Sequence, residues 1–162
     1  MNNSEIAEKL VAAFGEELKA FEEPFGLLTF STGRENIINV LKFLNENGFS
    51  FLTDITGIHL PDNTGGEFGV IYHVHNLPKN IRIRIKVFIS KDDIHIPTAT
   101  VLYEAANWME RETFDFYGII FDGHPNLKRI LNMDDMDYFP MRKEYALEDA
   151  TREDKIDALF GR

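Results

Sequence analysis

IRIRIKVFI, residues 81–89, decides the fold. Ile81, Ile83, Ile85, Val87 and Ile89 alternate with Arg82, Arg84, Lys86 and Phe88. A strand sends successive side chains to opposite faces, so this stretch is a half-buried β-strand with one apolar and one basic face. The pattern suits an antiparallel sheet that is covered on one side only. Upstream, EFGVIYHVHNL (67–77) is a second strand, joined to the first by the short PKN turn. FSFLTDITGIHL (49–60) is a third, set off by the polar loop PDNTGG.

Helices flank these strands. Residues 3–21 predict a helix, capped by Asn3 or Ser4, with Ile6, Leu10, Phe14, Leu18 and Phe21 near helical spacing. EEPFG ends it, because Pro24 disfavours helix before it and Gly26 permits a turn. Residues 27–31 form a short strand. TGRE (32–35) has capping-box spacing and opens a helix carrying Ile37, Ile38, Leu41 and Leu44 inward, with Gly48 past its end. After IRIRIKVFI, SKDDIHIPTATVLY leads into a helix over 103–117 stopped by Gly118, and IIF (119–121) adds a last extended piece. The order α-β-α-β-β-β-α predicts an α+β fold: a small mixed or antiparallel sheet, helices packed on one face, and an extended C-terminal tail.

The domain spans 1–131, and the character changes at 132. Residues 132–162 hold nine acidic and five basic side chains, with few apolar ones before Ile156, Leu159 and Phe160. Such a segment buries little by itself, so it reads as a partner-docking tail ending in a short helix between Thr151 and Gly161.

Composition narrows the function. A chain of 162 residues can bury a real core. Cysteine is absent, which excludes disulfides, thiolate zinc, a cysteine nucleophile and cysteine-ligated clusters. Net charge is -10, which argues against nucleic acid or anionic lipid as the main ligand. The N-terminus has no basic or apolar leader pattern, and no run of 18 apolar residues exists, so neither a signal peptide nor a membrane span is expected.

The acid–base candidates gather in NWMERETFDFYGIIFDGHPNLKRIL (107–131). On a helical wheel Ala105, Trp108, Met109, Glu112 and Phe116 form one stripe, centred on Glu112. Ala106, Glu110, Thr113, Phe114 and Tyr117 form a second, while Arg111 and Asp115 share the remaining edge. Two aromatic faces suggest a helix covered on both sides, one by its own sheet and one by another chain. A buried Glu112 needs a cation, which Lys128, Arg129 or Arg142 could supply. An acid–base role with a raised pKa is the functional reading; an ion pair fixing the tail to the helix is the simpler one. His73 and His75 alternate on one strand face and could begin a zinc site with His59, His95 or His124, yet no spacing fixes a third ligand. The acidic run at 134–137 lacks the glycine and distal glutamate of a calcium loop. Arg82, Arg84 and Lys86 form a basic ladder, either solvated or facing an acidic partner or the acidic tail. GxGxxG, GxxxxGK[ST], GxSxG and HExxH are all missing.

One resemblance goes further. ANWMERETFDFYGIIFDGHPNLKRIL followed by FPMRKEY resembles the signature of the 30 kDa subunit family, the C subunits of respiratory NADH:quinone oxidoreductase (complex I). The matching positions are Asn107, Trp108, Glu110, Arg111, Glu112, Asp115, Gly118, Ile119, Phe121, Gly123, His124, Pro125, Leu127, Arg129, Ile130, Leu131, Pro140, Arg142, Lys143 and Tyr145. VIYHV, IRIRIKVFI and IPTAT look like the family's strand pair and lead-in, so the likeness covers about 67–145. Lys128, NMDDMDYF and Met141 depart from it locally. The resemblance implies a non-catalytic scaffold that binds no flavin, cluster or metal itself, with FMN and iron–sulfur clusters carried by partner subunits. It implies contact with the quinone-site subunit (the D subunit of complex I) and with the B and I subunits, peripherally on the cytoplasmic face of the bacterial inner membrane. The implied contact residues are Glu110, Arg111, Glu112, Phe114, Asp115, Tyr117, His124, Leu127, Lys128, Arg129, Pro140, Arg142, Lys143 and Tyr145. The competing readings are the matching subunit of a related hydrogenase or other-donor oxidoreductase, a free-standing metal enzyme built on His73 and His75, and a generic acidic binding module.

Overall fold

IRIRIKVFI occupies the middle strand of a five-stranded mixed sheet. The computed structural model of the chain describes residues 2–145. In chain order the elements are α1 (Asn3–Phe14), β1 (Leu18–Glu22), β2 (Leu28–Thr32), α2 (Ile37–Glu46), β3 (Phe51–His59), β4 (Phe68–Asn76), β5 (Ile81–Ile89), β6 (His95–Pro97), α3 (Ala106–Tyr117) and β7 (Ile120–Asp122). The main sheet runs β1-β2-β5-β4-β3, and β6 and β7 form a separate parallel pair. β2 lies parallel to β5, and the other three pairings are antiparallel.

The alternation in β5 decides which way the sheet faces. Ile83, Ile85, Val87 and Ile89 are buried, in register with Phe30 of β2 and with Val70, Tyr72 and Val74 of β4. Against this face pack Ile6 and Leu10 of α1, Ile37, Val40, Leu41 and Leu44 of α2, and Ala106 of α3, all in one cluster. The fold is α+β, with the helices on one side of the sheet. Arg82, Arg84 and Lys86 lie on the other side, which no α-helix among the described residues covers.

Three sequence expectations are corrected. The helix over 3–21 stops at Phe14; the chain turns through residues 15–17 and continues as β1. Leu18 and Phe21 fit helical spacing, but they also fit an edge strand, where Leu18 pairs with Thr32 and Phe21 stacks on Phe30 at 5.2 Å. Ladder bonds to β2 decide for the strand. The capping box at 32–35 does not form, because Thr32 stays in β2 and its hydroxyl donates to the Glu17 carbonyl. The helix over 103–117 begins at Ala106, after turns. Neither β1 nor the short β6 was expected from the sequence.

Beyond β7 no helix or strand occurs among the described residues; 132–145 runs as turns and extended chain. The terminal helix expected between Thr151 and Gly161 lies outside the described residues. No helix among the described residues is long and apolar enough to cross a membrane.

Candidate functional site

α3 crosses β3 on the core side of the sheet. Two features let it come close. Gly57 on β3 leaves room for the Tyr117 ring, which would stand 2.5 Å from a Cβ there. The Thr113 hydroxyl reaches the Ile55 carbonyl at 3.5 Å. The inward ridge of α3 is therefore Ala106, Glu110, Thr113 and Tyr117, the second of the two stripes on the wheel. This corrects the placement of Glu112. It is exposed, on the wall of a small groove between α3 and β3, and Arg129 and Arg142 are engaged elsewhere. A wheel cannot tell which of two mixed stripes meets the sheet. Here the backbone N–H of Ala99 and the Thr98 hydroxyl favour the stripe holding Glu110.

Glu110 is fully buried inside its own chain, so it is not itself exposed as the contact residue that the resemblance implied. Its Oε1 accepts from the Ala99 N–H and its Oε2 from the Thr98 hydroxyl, both at 2.6 Å. Burial pushes its pKa up to about 7, against the pull of those two donors. His124 Nε2 stands 4.0 Å from Glu110 Oε2 and 3.0 Å from the Asn107 carbonyl. His124 Nδ1 accepts from the Asn126 N–H, which fixes the ring proton on Nε2. The imidazole therefore clamps the turn after β7 to the start of α3.

The outer side of α3 holds the chain that follows. Asp115 Oδ2 accepts the N–H groups of Ile130, Leu131 and Asn132, and Oδ1 pairs with Arg129 Nη1 at 2.8 Å. Burial disfavours this charge, but the three N–H groups and the guanidinium outweigh it and hold the carboxyl well below the usual range. Arg111 does not pair with Asp115; it donates to the carbonyls of Lys128 and Arg129. Arg129 Nη2 donates to the carbonyls of Met136 and Tyr138. Arg142 Nε donates to the Tyr117 carbonyl at 2.8 Å, in the last turn of α3, where a cation suits the helix dipole. A segment without helix or strand is thus held to α3 largely through backbone groups, by three arginines and one carboxylate.

A column of stacked rings locks the far end. Arg129 lies over Phe139 at 4.9 Å, Arg142 lies over both Phe139 and Phe68 at 4.7 and 4.9 Å, and His59 stacks on Phe68 at 4.4 Å. Lys143 N–H donates to His59 Nδ1, and burial lowers the pKa of that imidazole. Phe114 meets Phe139 edge-on, and Tyr145 tilts against Tyr138. Leu127 packs on the core, Pro140 is half-buried, and the side chains of Lys128 and Lys143 are exposed. Phe68, Thr98 and Phe139 carry this clasp but were not among the expected residues, and His59 was considered only as a zinc ligand. Each acts through a contact more than ten residues away, which leaves no local signal.

The other candidates stay apart. His73 Nε2 accepts from Arg84 Nε at 2.9 Å, and His75 Nε2 faces Asn80 Oδ1 at 3.2 Å. Asp134, Asp135 and Asp137 are exposed. Among the described residues no three His, Asp or Glu side chains gather as a metal site.

Large apolar side chains are exposed on α3 and the clasped segment: Trp108, Leu131, Met133, Tyr138, Met141 and Tyr145, with Val101 ahead of the helix. The profile of the family described as "Respiratory-chain NADH dehydrogenase, 30 Kd subunit" matches residues 30–151. The chain belongs to this family. It is 40% identical over 154 residues to the C subunit of the NADH-quinone oxidoreductase of Citrifermentans bemidjiense, covering 93% of this chain and 94% of that one. It is also 40% identical to the corresponding C subunit of a Nocardioides species, spanning 60% of that longer protein. A trypsin-resistant fragment (1-134) of Nqo5 superposes with a TM-score of 0.68 at 31% identity, covering 77% of this chain and 99% of that one. A chain of the membrane-bound sulfane sulfur reductase, an archaeal respiratory membrane complex, gives 0.75 at 24% identity over 89% of this chain and 85% of that one, a likeness of fold alone. The fold that carries α3 is thus shared with the Nqo5 fragment and with a chain of the archaeal complex.

Proposed function

We propose that this chain is a non-catalytic structural subunit of a proton-translocating NADH:quinone oxidoreductase. It sits peripherally on the cytoplasmic face of the membrane and supports quinone reduction by holding the quinone-site D subunit and the neighbouring B and I subunits. It binds no cofactor of its own; FMN and iron–sulfur clusters belong to the partners. The observation that carries this reading is the arginine clasp beside an uncovered apolar surface. Three arginines spend their donors on backbone carbonyls of 117–138 and order the chain there. The same segment and α3 leave Trp108, Leu131 and Met133 about two-thirds exposed. A single chain gains nothing from ordering a segment that displays its apolar side chains; a partner that covers them does. Glu110 and His124 support the same reading, since both are sealed in the chain and bonded to its own backbone.

The test separates assembly from chemistry. Arg142→Ala removes the bond to Tyr117 and the stack on Phe68 and Phe139. The variant is expressed in place of the native chain, and the amount of assembled oxidoreductase and its NADH:quinone turnover are measured separately. Assembled complex should fall several-fold, with unchanged turnover per assembled complex. Wild-type assembly with lost quinone reduction would overturn the scaffold reading.

A further inference from the structure

The sheet face opposite the helices carries a second feature that the clasp does not use. In register across four strands lie Thr29, Arg84, His73 and Asp54. Arg84 spends its Nε on His73 and keeps its two Nη groups. His73 Nδ1 is then the protonated nitrogen, aimed at Asp54 Oδ2 at 3.7 Å, too long for a hydrogen bond. Arg82, one rung along, has no hydrogen bond or ion pair to any other described residue, whereas Lys86 is tied to Glu22 at 2.6 Å. Both arginines line a solvent-open cleft of about 760 Å³, closed on one side by Pro24, Phe25 and Leu27.

Phe25 is the anomaly of this cleft. It is wholly exposed, and its backbone stands at φ 55, ψ 31, the left-handed region. That conformation is strained for an L-residue, and a bare phenyl ring in water returns nothing for it. Strain of this kind persists where the displayed side chain has a use. Aromatic side chains, phenylalanine among them, and arginine are the types enriched in protein–protein interfaces.

We propose that the cleft formed by Phe25, Arg82 and Arg84 docks an acidic segment of a second protein, on the opposite face of the sheet from α3. This rests on the subunit reading above and adds to it a separate contact with its own chemistry. The choice of occupant follows from charge. The chain carries a net charge of -10, so an extended polyanion or an anionic bilayer meets repulsion over the rest of the surface. A short segment that brings one or two carboxylates to the guanidiniums, and an apolar side chain to Phe25, avoids that repulsion. Guanidinium forks match carboxylates two bonds at a time.

The experiment uses the assembled complex. Phe25→p-benzoylphenylalanine places a photo-crosslinker at the rim, and crosslinked peptides are sequenced by mass spectrometry after illumination. The expected product joins position 25 to another protein chain, within a few residues of Asp or Glu. Adding Arg82→Glu, a change at an exposed site, should cut the yield about tenfold by removing one charge pair and setting a like charge in its place. A crosslink only to lipid, only within this chain, or to a segment without acidic residues overturns the proposal, as does a yield indifferent to Arg82→Glu. If the wild-type chain fails to co-purify with oxidoreductase proteins, the subunit reading falls as well. Co-purification without a crosslink overturns the cleft proposal alone.

Discussion

Glu110 and Asp115 lie on the same helix and both are fully enclosed, yet their surroundings drive them toward opposite protonation states. Asp115 collects three N–H groups and a guanidinium, which stabilise the anion. Glu110 collects one N–H group and one hydroxyl, with no Arg or Lys paired to it among the described residues and His124 Nε2 4.0 Å away. Burial therefore prevails at Glu110 and raises its pKa from 4.5 to about 7. The sign follows from linkage. A carboxyl whose folded pKa is raised adds stability that is complete below about 4.5 and is lost as pH rises through about 7. Glu110→Gln keeps an acceptor for Ala99 and places an amide donor beside Thr98 Oγ1, which can turn its own proton to Thr100. The variant should thus lack this loss and gain on the wild type by roughly 2–3 kcal/mol between pH 5 and pH 8. Urea unfolding of the isolated chain at both pH values measures it, and equal pH slopes for the two proteins would refute it. The difference between variants matters more than either slope, because burial also lowers the pKa of His59 and His73, whose titrations are common to both proteins.

At the scale of elements, the junction of α3 with the tail depends on Gly118. Its φ of 76 is left-handed, and a Cβ there would stand 2.6 Å from both the Arg142 guanidinium and the Phe139 ring. Gly118→Ala should cost at least about 2 kcal/mol, combining backbone strain with displacement of the ring column. Gly65→Ala is the control: φ is 80, but the space around it is open, so only strain acts. Thermal unfolding compares the two, and equal losses would mean that the column is not coupled to the helix end. How far the elements were legible follows the same lines. β5, β4 and β3 declared themselves through alternation and polar turns, and Gly118 was legible as a helix stop. β1 was not, because Leu18 and Phe21 suit a helix and an edge strand equally, and pairing with β2 decided. β6, at three residues, is too short to show a period. The two stripes of α3 were visible, but which one met the sheet depended on donors at Thr98 and Ala99, in the lead-in that precedes the helix.

At the scale of the whole molecule, the residues that clasp the tail were largely named by the sequence pattern, but their roles were not. Arg111, Asp115, Arg129 and Arg142 were recognisable as charges in need of partners, yet their partners are mostly backbone carbonyls and N–H groups, which no side-chain pattern records. The molecule that results has a closed core on one side of the sheet and exposed apolar side chains beside the clasp. This arrangement predicts a clean separation of stability from association. Trp108 and Leu131 are 60% and 66% exposed, so Trp108→Ser with Leu131→Ser removes little buried area from the isolated chain. Its unfolding free energy should stay within about 0.5–1 kcal/mol of wild type, the larger figure allowing for the lost Arg111 stack on Trp108. A tryptophan at the centre of a covered interface is worth about 2 kcal/mol or more, so the same double variant should weaken association roughly 30-fold or further. Co-purification of the oxidoreductase proteins with a tagged chain reads the second quantity, and urea unfolding reads the first. Unfolding of the variant well below wild type would mean that these side chains serve the chain's own core. Wild-type co-purification with unchanged stability would mean that partners bind elsewhere, and the apolar surface beside α3 would then need another occupant.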